Sequence, residues 1–174
     1  MNIINKNSVI LVDENDIEVG IMEKKAVHNE GILHRAVSIF IINSKSEWLL
    51  QQRASHKYHS QLMWSNAACT HPYQGELTRD AANRRLFEEM GMKAKLTRLF
   101  SFQYKATLDT GLIEHELDHV FIGQTDDLPQ VNTEEVASYK YISFHVLSKD
   151  VKNNPTRYTP WFQLLIDRVD QSIN

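Results

Sequence analysis

Cys69-Thr70-His71-Pro72, running on through Gly75-Glu76 to Arg84-Arg85-Leu86-Phe87-Glu88-Glu89-Met90-Gly91, decides how this chain is read. It sets the only cysteine two residues from a histidine, ahead of a segment that ends in paired carboxylates and a glycine. A candidate nucleophile or proton carrier, a metal ligand and an anion-handling helix thus fall within one short stretch. Thr78 suits an N-cap, Asp80 a first turn and Gly91 a stop, so a helix is expected from Arg79 to Met90. Ala82, Leu86 and Met90 supply its apolar stripe. Arg84 with Glu88, and Arg85 with Glu89, stand four apart and read either as surface ion pairs or as parts of a site.

Outward from this helix the chain is mostly strands. Ser8 to Val12 and Ile17 to Met22 flank the acidic turn Asp13-Glu14-Asn15-Asp16. Arg35 to Asn43 reads as a buried strand and Trp48 to Gln52 as its partner across a turn. A long polar loop, Arg53 to Gln61, follows, and loops of that length inside a domain are usually functional. Leu96 to Tyr104, His115 to Gly123 and Val136 to Ile142 read as further strands. Helices near Phe144 to Lys152 and Pro160 to Gln171 close the chain, with Pro160 suited to the first helical position. Mixed α+β is the fold class this order implies.

With 174 residues, 42% apolar and 24% charged, the chain is expected to be one domain, 1–174, able to bury its own core. A net charge of −3 gives no global reason to expect nucleic acid. One cysteine excludes an internal disulfide and fits a reducing, cytoplasmic setting. Met1 to Lys6 lacks the apolar core of a secretory signal, and Val37 to Ile42, the longest strongly apolar run, is too short to span a bilayer. The expected form is a monomer or small homo-oligomer with no membrane partner.

His28, His34, His71, Glu114 and Glu116 form a possible mixed nitrogen and oxygen site. In a strand Glu114 and Glu116 share a face while His115 points away. Such donors suit Zn, Mn or Mg rather than a soft thiolate metal. Each residue alone also reads as an ordinary hydrogen-bonder or part of a wet strand face, and His56, His59, His119 and His145 compete. Glu76 offers a carboxylate for Mg²⁺ on a substrate diphosphate, and Lys24, Arg53, Lys57 and Arg85 offer a cationic clamp.

At this point the residues resemble a family. Glu76, Arg84, Leu86, Glu88, Glu89, Gly91 and Met92 fall at the spacing of the Nudix box, with Thr70 in place of its first Gly and Arg85 in place of the Glu after Arg. Losing that glutamate argues against ordinary Nudix hydrolysis. The rest is similar to a divergent branch, the type I isopentenyl-diphosphate Δ-isomerases. The similarity runs through Lys24-x3-His28, Leu33-His34-Arg35-Ala36, Leu49-Leu50-Gln51-Gln52-Arg53, Trp64-Ser65-Asn66, Cys69-Thr70-His71-Pro72, Tyr104-Lys105-Ala106, Glu114-His115-Glu116 and Thr159-Pro160-Trp161-Phe162.

The resemblance implies a Nudix-like fold of mixed sheets flanked by helices. It implies one divalent ion, Mn²⁺, Zn²⁺ or Mg²⁺, on His28, His34, His71, Glu114 and Glu116. A Mg²⁺ carried by the diphosphate would touch Glu89 and the backbone carbonyl of Cys69. Lys24, Arg53, Lys57 and Arg85 match diphosphate-contacting positions, and Cys69, Tyr104, Glu116 and Trp161 match the catalytic pocket. The implied substrate is a small prenyl diphosphate, and no flavin is implied. Tyr158 to Leu165 is expected to help cover the pocket. The competing readings are a Nudix pyrophosphohydrolase acting on nucleoside diphosphate derivatives, and a non-catalytic metal- or prenyl-diphosphate-binding protein on the same scaffold.

Overall fold

One strand, β3 (His34–Ile42, HRAVSIFII), organises the molecule. The computed structural model describes residues 7–108 and 110–174; the stretch 1–6 read above for a signal lies outside them. An apolar run with little alternation predicts a strand covered on both faces, and β3 is buried along nearly all of its length. It pairs in parallel with β8 (Ile113–Gln124), from His34 opposite Glu116 to Ile42 opposite Gln124. Its other edge is divided among three antiparallel neighbours. β1 (Ser8–Val12) meets it at His34, β6 (Ala68–Thr70) at Val37 to Ile39, and β4 (Glu47–Arg53) at Ile42.

A strand serving three partners in succession makes the sheet curl. β1 leads off to β2 (Glu18–Glu23), and β4 carries β5 (Trp64–Ser65) and β9 (Val136–Ser143). β7 (Thr97–Thr107) extends the far side as the antiparallel partner of β8.

The two faces of β3 serve two cores. Val37, Ile39 and Ile41 pack with Ala82, Leu86 and Met90 of α2 (Thr78–Met90). Phe40, with Val120 and Tyr104, packs with Leu147 of α3 (Phe144–Asn153) and with Phe162, Leu165 and Ile166 of α4 (Pro160–Ile173). The expected α+β order, with helices flanking mixed sheets, is what the chain adopts. No described helix is long and apolar enough to cross a membrane.

Several local expectations need correction. A helix, α1 (Lys24–Glu30), was not foreseen: at 7 residues it is too short for a clear apolar period. Glu23 caps it by accepting from the Ala26 N–H at 2.9 Å, and Gly31 ends it in the left-handed region at φ 65°. A Cβ at Gly31 would lie 2.9 Å from the Ile113 side chain. Thr78 is inside the first turn of α2 while Leu77 holds the cap position, so no side-chain cap is made. β5 and β6 are two and three residues long, below what patterning detects. Gly91 does end α2 in a left-handed conformation.

Candidate active site

Four segments bring the histidine and glutamate set together. His28 rides on the last turn of α1, His34 opens β3, His71 follows β6, and Glu114 and Glu116 project from one face of β8. Their ligand atoms all lie within 4.8 Å of one another. Two rings are oriented by backbone carbonyls: His28 Nδ1–H donates to Lys24 O at 2.6 Å, and His34 Nδ1–H to Ile32 O at 2.8 Å. A nitrogen facing a carbonyl must carry the hydrogen, so each ring in its neutral form would turn the Nε2 lone pair inward.

His28 Nε2 lies 3.0 Å from Glu114 Oε2, and His71 Nε2 3.0 Å from Glu116 Oε1. His34 Nε2, fully buried, lies 3.6 Å from Glu116 Oε1 and has no hydrogen-bond partner among the described residues. Burial, aided by the Lys24 charge, keeps His71 well below the usual imidazole range and therefore neutral, the form that ligates. Two buried carboxylates, an orphaned Nε2 and oriented imidazoles fit a divalent cation.

Beside the cluster the same face carries acid and base groups. Tyr104 on β7 stands opposite Glu116 in the β7–β8 pair and donates its O–H to Glu116 Oε2 at 2.6 Å. Burial and the Glu116 charge push the phenol well above its usual range. Burial alone would raise Glu116, but the His34 imidazole beside it and the Tyr104 hydroxyl outweigh that and hold the carboxyl down at about 2.

Cys69 on β6 faces Ser38 across the β3–β6 pair, with Sγ 3.7 Å from Ser38 Oγ, and donates its S–H to Asn66 Oδ1 at 3.2 Å. Burial, then the neighbouring Asp118, pushes the thiol up to about 12, so it carries its proton at neutral pH. Ser38 Oγ in turn donates to Asp118 Oδ2 at 2.7 Å.

Of these groups His71, Ser38, Cys69, Tyr104, Glu114 and Glu116 line one cleft of about 930 Å³, counted to its open mouth. Lys24, Arg53, Lys57 and Arg85 also line it, with Glu89 and Trp161. Trp161, the second residue of α4, has the Arg53 guanidinium 5.4 Å from its ring centre. Of Tyr158 to Leu165 only Trp161 lines the cleft; Tyr158, Phe162 and Leu165 belong to the core beneath.

The pair Arg85–Glu89 is no surface ion pair. Glu89 is buried, with Oε1 2.5 Å from Arg85 and 3.9 Å from Lys57, and Oε2 accepting from Gln51 Nε2 at 2.5 Å. Burial raises the Glu89 carboxyl against the pull of the two cations. Glu135 also pairs with Lys57 and Arg85.

Residues 32–162 match the NUDIX domain family model. An isopentenyl-diphosphate Delta-isomerase of Pectobacterium atrosepticum is 52% identical over 92% of this chain and 90% of its own length. Isopentenyl-diphosphate Delta-isomerase 2 of Aromatoleum aromaticum is 47% identical over 94% of this chain and 87% of its own length. The chain belongs to the isopentenyl-diphosphate Delta-isomerase family, on a Nudix domain.

Solved structures support the Nudix fold. DR0079 from Deinococcus radiodurans aligns with a TM-score of 0.78 over 92% of this chain and 98% of its own, at 18% identity. A MutT protein from Methanosarcina mazei aligns at 0.67 over 82% and 96%, at 17% identity. Within the Nudix box Glu76 does not face the isomerase-family cleft. It is gripped by Arg84 through two bonds of 2.7 and 2.8 Å, and Arg84 also reaches Glu88 at 3.2 Å.

Reading the sequence missed part of the cleft wall. His59 Nε2 lies 3.6 Å from Glu114 Oε1, and its ring meets Trp161 edge-on at 6.0 Å. Burial and the Arg53 charge drop His59 to about 3. The sequence names His59 only among the histidines competing for the ion, and the length of the Arg53 to Gln61 loop is its other signal. Ser38, Asp118 and Glu135 gave none, each being an ordinary polar residue on a strand or loop, and Gln51 stood only inside the Leu49 to Arg53 motif of the resemblance.

Proposed function

We propose that the chain interconverts isopentenyl and dimethylallyl diphosphate, the isomerisation after which its relatives are named, by adding a proton on one face of the substrate and removing one from the other. The observation that carries this is one cleft with the Cys69 thiol on one wall and the Glu116 carboxyl, bonded to the Tyr104 hydroxyl, on another. Adding a proton to the terminal alkene carbon leaves a tertiary cation; losing a proton from the carbon on its other side completes the shift, with no net change in atoms or charge. An unactivated alkene is a very weak base, so the acid must be placed in advance, and each positioned proton transfer is worth about 10²–10⁴-fold.

Lys24, Arg53, Lys57 and Arg85 would hold the diphosphate, and Glu89 with the Cys69 carbonyl would meet a Mg²⁺ brought by the diphosphate. Trp161 offers its π face to the cation, worth about 2 kcal/mol or more where water is excluded. Exclusion matters, because a wet tertiary cation is captured as an alcohol. His28, His34, His71, Glu114 and Glu116 would hold a second divalent ion, Mn²⁺, Zn²⁺ or Mg²⁺. When bound it adds positive charge that makes the Tyr104–Glu116 end a stronger acid. No flavin takes part. The whole chain, 1–174, acts as one cytoplasmic domain, as a monomer or small homo-oligomer.

The test is a proton NMR time course of isopentenyl diphosphate with protein and Mg²⁺ in D₂O. Deuterated dimethylallyl diphosphate is the expected product. Unchanged substrate that nonetheless binds would point to a binding protein, and released phosphate to a hydrolase.

A further inference from the structure

Asn66 is fully buried, yet every polar atom of its side chain is engaged. Its Nδ2 donates to two backbone carbonyls, Ile39 O at 3.1 Å and Ala68 O at 2.8 Å. Only an NH₂ can face two carbonyls, so the amide has one orientation and both its hydrogens are spent. Oδ1 therefore points the other way, where it accepts from Cys69 Sγ at 3.2 Å and from Ser65 Oγ at 3.0 Å.

Ser65 has a single hydrogen and gives it to Asn66, so its remaining contact, Thr159 Oγ1 at 2.9 Å, must be the donor in that bond. Thr159 occupies the N-cap of α4, a position where threonine ordinarily caps its own helix. It makes no such cap bond; its hydroxyl goes across to Ser65, 94 positions away in sequence. Forgoing a local cap for a distant partner indicates that the distant partner is what the hydroxyl is there for.

We propose that Asn66 is the positioning residue for the Cys69 thiol, tied through Ser65 and Thr159 to the start of the helix that carries Trp161. The chain of bonds fixes two walls of the cleft relative to each other, so thiol and indole hold one separation whether or not substrate is present. A fully satisfied buried network of this kind specifies one geometry where an apolar contact would tolerate several. The proposal rests on the isomerase reading for its kinetic consequence but not for its spectroscopic one.

Because Cys69 is the chain's only cysteine, its S–H stretching band can be read by infrared spectroscopy without overlap from another thiol. Asn66→Ala is expected to move that band to higher frequency and to lower kcat about 10²-fold, the scale of a misplaced reacting group, with KM within about threefold. Ser65→Ala keeps both carbonyl bonds of Asn66 and guards against a folding failure in Asn66→Ala. It is expected to shift the band to lower frequency, Oδ1 being left to the thiol alone, and to lower kcat several-fold; Ser65→Thr should restore both. Folded variants with an unmoved band and wild-type kcat would overturn the proposal. Absence of turnover in the unmodified protein, with the band still moving as described, would sink the isomerase reading and leave the positioning role standing.

Discussion

Cys69→Ala takes the thiol from one wall of the cleft and leaves the cations on the others untouched. Turnover of isopentenyl diphosphate should fall by about 10²–10⁴-fold, with binding measured by calorimetry changed little. Glu116→Gln acts on two functions at once, because Glu116 meets both His71 and Tyr104. Metal content by elemental analysis and rate should both drop, and full activity with full metal would remove Glu116 from both roles. Trp161 is deeply buried, at 4% exposed, so Trp161→Leu, which keeps apolar packing but has no π face, is the better probe of that face. It should cost turnover more than thermal stability, and unaltered turnover in a folded variant would remove the cation-stabilising role. At this scale the sequence was legible where a residue type is chemically unusual: a lone cysteine near a histidine, paired glutamates, a Thr-Pro-Trp-Phe run. Ser38 and Asp118 were not legible, since their meaning arises only from a bond across 80 positions of sequence.

Among the elements, α2 was legible because 13 residues give it a full apolar stripe and a glycine stop, whereas α1 has only two turns and no stripe. Its end is nonetheless exacting. Gly31→Ala places a Cβ against Ile113, the neighbour of Glu114, at a left-handed backbone position. A loss of about 1–3 kcal/mol in stability is expected, with weaker metal binding, both read from thermal unfolding with and without added ion. The Glu76–Arg84 pair, which joins the turn before α2 to the helix, predicts an acid limb. Burial raises the Glu76 carboxyl, but the Arg84 hydrogen bonds and the Tyr73 N–H outweigh it, and the net shift is downward. The sign follows: this contribution is present above the unfolded value near 4.5 and is lost as pH falls through the lower folded value. Glu76→Gln should therefore flatten the stability curve in that acid window. The change should be no more than about 1 kcal/mol once solvent screening is counted, as followed by urea midpoints.

For the molecule as a whole, an ion on the proposed His28, His34, His71, Glu114 and Glu116 set would tie together α1, β3, the segment after β6, and β8. Chelation should lower the unfolding temperature, since an ion at about 100 times its dissociation constant adds about 2.7 kcal/mol. His28→Ala should remove most of that difference, which scanning calorimetry would show. The α+β class was readable from strand-like runs broken by one long helix. The parallel pairing of β3 with β8 was not, because nothing in either strand's own pattern names its partner. That pairing also has a kinetic side. His34 and Glu116 become neighbours only after most of the intervening chain has been gathered in, and loop-closure entropy opposes this until the contact is made. A half-folded chain thus has no place for the ion, so on dilution from denaturant the regain of metal affinity should lag the regain of helix, and catalytic competence should report the last stage of refolding.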